Sequence, residues 1–412
     1  MSTLTATKPQ ASSTDDGTPG SPGRPAGRIL SGPLALVFLT EFCALTSFYL
    51  MLSVTPMYAA AVGAGSAGAG LVTSVLLLGT VAAELAAPVL MRRFGYWAML
   101  AAGTLLLGVP ALALLPGGSL AVIVTVSLVR GFGFGLCTVM TGALTAVLLP
   151  PDRRGEGLGL FGVVATAPGI VALPAGVWLA GHIGMATVAG LTAAAALVPL
   201  ALFPWLSGRA GRRTAKAAPA DAGRPDGLLA GLRQSGQLRP FLIFAASTVA
   251  GGVVVAFLPL AAGASGNIAA AGLLAQALTA TISRWWAGRH GDRNGHARLL
   301  IPALVIASSG MITMIWLASP AAVIAGMCLF GTGFGICQNA TFALMIDRMP
   351  PAGLGTASAL WNLAYDAGYG AGPALFGLVV GHTGYPAAFA LTAVVMLAAL
   401  PAARREHSGA AR

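Results

Sequence analysis

The chain reads as an all-α membrane protein of twelve transmembrane helices, arranged as two pseudo-symmetric six-helix bundles. Three observations predict this: a scarcity of charge, a regular succession of apolar segments and short links, and a self-match at one fixed offset. Only 8% of the 412 residues are Asp, Glu, Lys or Arg, while 56% are hydrophobic types. A soluble domain carries about 25% charged residues, and one of this length could not cover its surface with so few. Lipid is therefore the solvent for most of the chain, and the mean hydropathy of +0.82 agrees.

Residues 1–28 are polar, rich in Ser, Thr, Gly and Pro, and carry Lys8, Asp15, Asp16, Arg24 and Arg28. They read as a disordered tail, not a secretory leader. Twelve apolar segments follow, each near the roughly 20 residues that cross a bilayer. The first six fall at 33–58, 67–90, 96–115, 120–147, 157–180 and 185–205, and the second six at 241–260, 268–286, 299–317, 321–346, 355–380 and 387–402. The chain thus divides into a tail (1–28), a first bundle (29–205), a basic linker (206–239), a second bundle (240–403) and a short tail (404–412).

Charge alternates along the links. The basic ones hold Arg92 and Arg93; Asp152, Arg153, Arg154 and Glu156; Arg289, Arg293 and Arg298; and Arg348. The long linker holds Arg209, Arg212, Arg213, Lys216, Arg224, Arg233 and Arg239, and the final tail holds Arg404 and Arg405. The six remaining links contain no Lys or Arg. By the positive-inside rule both termini are cytoplasmic, and the chain belongs in the cell's inner (plasma) membrane. The formal charge of +11 is then topological and does not mark nucleic-acid binding.

The chain matches itself at a shift of 200. Gly131, Gly133, Phe134, Gly135 and Cys137 return as Gly331, Gly333, Phe334, Gly335 and Cys337. Arg93 and Gly95 return as Arg293 and Gly295, and Gly181, His182 and Gly184 as Gly381, His382 and Gly384. Two halves of equal topology follow, one of the known plans for transporters. The glycine run does not have the G-x-G-x-x-G spacing of a nucleotide loop; small residues in an apolar helix let helices approach closely. Cys43, Cys137, Cys328 and Cys337 all fall inside helices without ligand spacing, and read as packing residues. No metal site or cofactor is expected.

The link after the eighth segment runs from Gly288 through Asp292, Arg293 and Gly295 to Arg298. It is similar to the loop signature G-x-x-x-D-R-x-G-x-x-R of the major facilitator superfamily. The first-half copy has Arg92 where the signature has Asp. Arg130 with Gly131, Gly133 and Gly135 resembles the family's intramembrane arginine and glycines. Gly169, Pro174 and Gly176 match in part, and Gly368, Gly372, Pro373 and Gly377 match better, the Gly-Pro signature of the family's exporters. The resemblance covers the chain after residue 30 and implies a transporter that rocks two bundles about a shared cavity.

Energy must come from an ion gradient. The only lysines, Lys8 and Lys216, lie outside any phosphate-loop motif, so ATP hydrolysis is not expected. A charge at the bilayer centre costs about 2.5–3.5 kcal/mol, which makes each one a functional candidate. Glu41 and Arg130 come out at similar depths, about 12 and 15 Å from opposite faces. The resemblance puts their helices beside the cavity. The two form either a proton-exchanging site or a permanent ion pair. Glu84 and Arg284 are repeat mates of opposite charge and make a candidate gating pair between bundles; alternatively, Arg284 snorkels to the headgroups. Asp366 lies near midplane, with Asn362 one turn earlier, and either carries a proton or bonds a neighbouring helix.

Candidate cavity residues are Tyr49, Thr138, Thr141, Ser247, Thr248, Gln276, Gln338, Asn339 and Asn362. Each either meets substrate or makes a helix-to-helix hydrogen bond worth about 0.6 kcal/mol. Apolar walls with a few amides suit a moderately hydrophobic, neutral or cationic organic molecule. The expected function is proton-coupled export of small organic compounds by a monomer in the bilayer. Nutrient symport and a non-transporting receptor on the same fold are the alternatives. No nucleophile–base–acid constellation points to an enzyme.

Overall fold

The computed structural model describes residues 31–116, 118–149, 153–204, 232, 236–262, 266–350 and 353–410. The predicted first tail lies outside the described residues, as do Asp152 and most of the linker, including Arg209, Arg212, Arg213, Lys216, Arg224 and Arg233.

The described residues contain no strand. The first half comprises α1 (Gly32–Leu52, continued by Val54–Ala59), α2 (Gly65–Phe94), α3 (Tyr96–Gly108), α4 (Leu120–Leu148), α5 (Arg154–Ile183) and α6 (Met185–Leu197). The second comprises α7 (Leu238–Ala261), α8 (Asn267–Asn294), α9 (Leu300–Thr313) and α10 (Pro320–Asp347). The long helix Leu354–Leu397 is broken at Gly384 into α11 (354–383) and α12 (385–397). A terminal helix, α13 (Leu400–Ala410), follows.

Among the described residues nine stretches are long and apolar enough to cross a membrane. Two of these, Gly32–Phe94 and Leu354–Ser408, each contain two spans. The remaining span is α8, the least apolar of the twelve, with Gln276 and Arg284 inside its apolar stretch. It also runs on to Asn294, beyond the predicted limit of 286. Leu78, Val163, Val171, Leu375 and Leu378 are exposed, as suits helices whose outer solvent is lipid.

The internal repeat is physical. Gly95 and Gly295 turn the chain between α2 and α3 and between α8 and α9 with φ of 81° and 89°. Gly184 and Gly384 do the same after α5 and α11 with φ of 89° and 74°. A β-carbon is strained there, so glycine sits at equivalent corners of both halves. The glycine runs of α4 and α10 also meet equivalent partners. A β-carbon on Gly131 would strike the Leu76 carbonyl, and one on Gly331 the Gln276 carbonyl. Gly133 abuts Gly103 and Leu107, while Gly333 abuts Ala303 and Ala307. Helices approach backbone to backbone, so many weak dispersion contacts replace the hydrophobic effect that lipid cannot supply.

The two halves meet at three seams. Along α2 and α11, Ser66 Oγ donates to the Gly377 carbonyl (2.9 Å) and Ser74 Oγ to the Gly370 carbonyl (2.6 Å). Between α1 and α7, Ser53 Oγ donates to the Val255 carbonyl at 2.7 Å. Between α5 and α8, Gly266 lies against the Val177 carbonyl. These contacts gather toward the end of the bundle away from the basic links, here the far end; the other is the basic end.

The last residues depart from the expected short tail. Within α13, Glu406 is 3% exposed and is clasped by Arg348 from the end of α10, with Arg239 of α7 3.8 Å away. Arg348 also donates to the Gly236 carbonyl. Read along the chain, Arg404 and Arg405 make this segment look merely polar. The partners of Glu406 come from two other helices.

The glycine packing sets an expected outcome. Gly131→Ala lowers unfolding stability by about 1–3 kcal/mol, because the Leu76 backbone cannot move aside. Gly142→Ala, whose β-carbon meets open space, leaves the melting temperature unchanged or slightly raised. Thermal unfolding of the detergent-purified variants checks both.

Candidate functional site

A cavity of about 710 Å³ lies between the halves. Tyr49 of α1 and Thr166, Gly169 and Leu173 of α5 form one wall. Gln276, Arg284 and Trp285 of α8, Gln338 and Asn339 of α10, and Trp361, Tyr365 and Tyr369 of α11 form the others. It continues along α8 to Gly288, Arg289 and Asp292, so its mouth is at the basic end. The volume is that of a drug-sized ligand site.

Four of the candidate polar residues line this space: Tyr49, Gln276, Gln338 and Asn339. The others do not. Ser247 and Thr248 are fully buried, and Thr248 Oγ1 ties α7 to α11 by donating to the Ala364 carbonyl at 3.0 Å. Thr138 turns back to the Gly135 carbonyl, Thr141 bonds Glu41, and Asn362 is exposed outside the cavity. Helix rotation decides these outcomes, and a polar side chain in an apolar helix does not reveal its rotation. The aromatic wall was missed at the sequence level. Its signal is present: Trp361, Tyr365 and Tyr369 recur every fourth residue, which places them on one helix face. The Tyr365 and Tyr369 rings stack at 5.0 Å, and Trp361 lies 6.0 Å from Tyr365.

Glu41 and Arg130 do not form an ion pair. The Glu41 carboxylate is 4% exposed and accepts from Thr141 Oγ1 at 2.6 Å. Arg130 is 2% exposed and donates to the Leu107 carbonyl (2.6 Å) and the Ser47 carbonyl (3.1 Å). It thereby clamps α3 and α1 onto α4, while its Nε has no partner among the described residues. The depth estimate failed because α4 has 29 residues, about 44 Å at 1.5 Å each, and overshoots a 30 Å hydrocarbon core. Counting inward from its end therefore placed Arg130 too near Glu41. Thr141, about three turns farther along α4, is the residue at that level.

The expected Glu84–Arg284 contact is replaced by another. The Glu84 carboxyl on α2 instead neighbours that of Asp366 on α11, across the seam between the halves. The reason is the pairing of elements: α2 packs along α11, while α8 packs along α5. Arg284 instead faces the cavity, close to the phenols of Tyr49 and Tyr365. An ionised carboxylate only accepts, so two carboxyl groups facing each other can bond only by sharing a proton.

The loop-signature residues gather at the mouth. Gly288 and Asp292 line the cavity, Gly295 makes the turn, and Arg293 and Arg298 are exposed. Asp292 is 75% exposed and lies 3.7 Å from His296, which packs against Gly291. Arg289 stacks over Trp285 at 4.2 Å.

Two like six-helix bundles around a shared cavity lined by polar and aromatic residues have the plan of a membrane transporter. Residues 37–373 match the sequence profile of the Major Facilitator Superfamily, and the chain belongs to that family. It is 30% identical over 125 residues to a tetracenomycin C resistance and export protein of Streptomyces glaucescens, covering 30% of this chain and 23% of that one. It is 27% identical over 114 residues to an uncharacterised MFS-type transporter of Salmonella typhimurium, 28% and 29% of the respective chains. The chain thus spans less than a third of the length of the curated relatives it matches. Among solved structures, the nucleoside transporter NupG superposes with a TM-score of 0.71 at 14% identity, over 91% of this chain and 98% of that one. An inward-facing, occupied bacterial homologue of the human lysosomal transporter Spinster gives 0.72 at 15% identity, over 91% and 96%. At these identities the likeness concerns the fold.

The cavity walls are open to direct assay. In a background lacking the four native cysteines, Gln338→Cys is expected to react readily with a water-soluble maleimide. Ser247→Cys is expected to stay unlabelled in the folded protein. Mass spectrometry of intact protein before and after denaturation reads both.

Proposed function

We propose that the chain is a proton-coupled exporter of small organic compounds. It works by alternating access as a monomer in the plasma membrane, with both termini in the cytoplasm. The basic end then faces inward, and the cavity stands open to the cytoplasm beneath a closed far end.

The observation that carries this reading is the facing of Glu84 and Asp366 across the α2–α11 seam. With a proton shared between them, a hydrogen bond joins the halves at that level. Without it, two negative charges face each other. At 4 Å and an effective dielectric of 20, that repulsion amounts to about 4 kcal/mol. This is enough to bias a two-state equilibrium by several hundredfold. Proton exchange is thereby tied to the disposition of the halves. Glu41, held by Thr141 inside the first half, is the second proton site. Export as the direction is supported by the similarity to the tetracenomycin C export protein and by the glycine–proline pattern at Gly372 and Pro373.

Everted membrane vesicles with an acidified lumen test the proposal. Tetracenomycin C and a panel of aromatic compounds are expected to accumulate inside, against their gradient, and to leak out when the pH difference collapses. Asp366→Asn keeps a hydrogen-bonding partner for Glu84 but fixes its donor. It is expected to cut accumulation about tenfold or more while leaving substrate-for-substrate exchange intact; Glu41→Gln serves as the comparison. Movement out of the acidified lumen together with protons would establish symport instead.

A further inference from the structure

We infer that the cavity selects flat aromatic acids, compounds with a carboxylate or acidic phenol on a planar ring system, and that Arg284 is the specificity-determining partner of the acid. The inference rests on the reading of this cavity as a transport site.

Three groups with formal charge line the space: Arg284, Arg289 and Asp292. Asp292 and Arg289 occupy the mouth, the first largely exposed and the second stacked on Trp285. The interior therefore holds one charge, and it is positive. Among the described residues no carboxylate lies within 4 Å of Arg284. The phenols of Tyr49 and Tyr365 act on it. Asp366, which acts on the same two phenols, has Glu84 as its neighbour, and Glu41, which acts on Tyr49, is bonded to Thr141. Each of these acids has a partner of its own, and among the described residues none forms an ion pair with the guanidinium.

A guanidinium stays charged throughout the physiological range, and its planar fork matches a carboxylate through two parallel bonds. The surrounding walls specify the rest of the guest. Tyr365, Tyr369 and Trp361 line one wall, the two tyrosines stacked on each other at 9° and Trp361 stacked on Phe244, so a flat aromatic guest meets a wall of rings. Asn339 and Gln338 add amide groups to the lining. Amides alone read as suiting a neutral or cationic guest; the unpaired Arg284 reverses the sign.

Binding to the purified full chain tests this with two probes of one shape, anthraquinone-2-carboxylate and its neutral carboxamide, by calorimetry near neutral pH. The carboxylate is expected to bind about tenfold or more tightly than the carboxamide, and excess inorganic phosphate is expected not to displace it. Arg284→Gln is expected to bring the two within about twofold by weakening the acid alone, while Arg284→Lys retains part of the preference. Equal binding by the unaltered chain overturns the proposal, as does no binding of either probe at about 1 mM. An unchanged ratio in a folded Arg284→Gln chain also overturns it. If that variant does not fold, the comparison in the unaltered chain still decides. The vesicle assay separates this from the transport reading. An acid preference without any proton-driven flux would sink the exporter and leave the selectivity. Flux of neutral compounds with no acid preference would do the reverse.

Discussion

Close approach of helix backbones at glycine is the constraint on which the rest of this structure depends. In lipid, apolar side chains gain little by leaving their solvent, so helices cohere through shape and through hydrogen bonds. Gly131, Gly133 and Gly135 let α4 settle against the carbonyls of α2 and α3, and their mates in α10 repeat the arrangement against α8 and α9. Each half thereby becomes a rigid unit. The α2–α11 seam between the halves is packed the same way, with Gly70 against the Pro373 carbonyl and Gly377 against the Ser66 carbonyl, and serine hydroxyls bond across the seams.

Charge is distributed along the same division. Arg130 is spent inside the first half, holding carbonyls of α1 and α3, and Glu406 is spent inside the second, holding the ends of α7 and α10 through their arginines. The groups left at the boundary are Glu84 with Asp366 and the cavity-facing Arg284. Buried ions that stabilise one body differ in this way from those placed where the bodies meet. In the proposed cycle the second kind responds to protons and guests, together with Glu41 inside the first half. Tyr49 and Tyr365 neighbour both Asp366 and the arginine, so the proposed proton site and guest site share two phenol groups.

Asp366 and its neighbours show how much of the site can be read along the chain. That Asp366 is intramembrane and chemically exceptional follows from hydropathy and the cost of charge in lipid. That Gln338 and Asn339 line the cavity was also legible, because they follow directly on the tight glycine face of α10. Arg284 was recognised as exceptional but assigned the wrong neighbour: the repeat that made it the mate of Glu84 describes equivalence between halves, not contact. Tyr365 and Tyr369 were passed over, although their spacing around Asp366 was visible, because aromatic residues in an apolar helix are ordinary packing material until a cavity is seen beside them.

The amino-acid sequence by itself determined the solvent, the number of spans, the equivalence of the halves and the family. All four are carried by patterns that run along the chain: hydropathy over about 20 residues, charge in alternate links, and residues recurring at one offset. Tertiary structure alone decided that Glu84 meets Asp366, that Glu41 meets Thr141 in place of Arg130, and that Arg284 faces an empty interior. Those outcomes depend on the tilt, rotation and axial offset of helices far apart in sequence. A few residues of overshoot in one helix move a side chain by more than the length of a hydrogen bond. Periodicity places a residue in a helix; only packing decides what it touches.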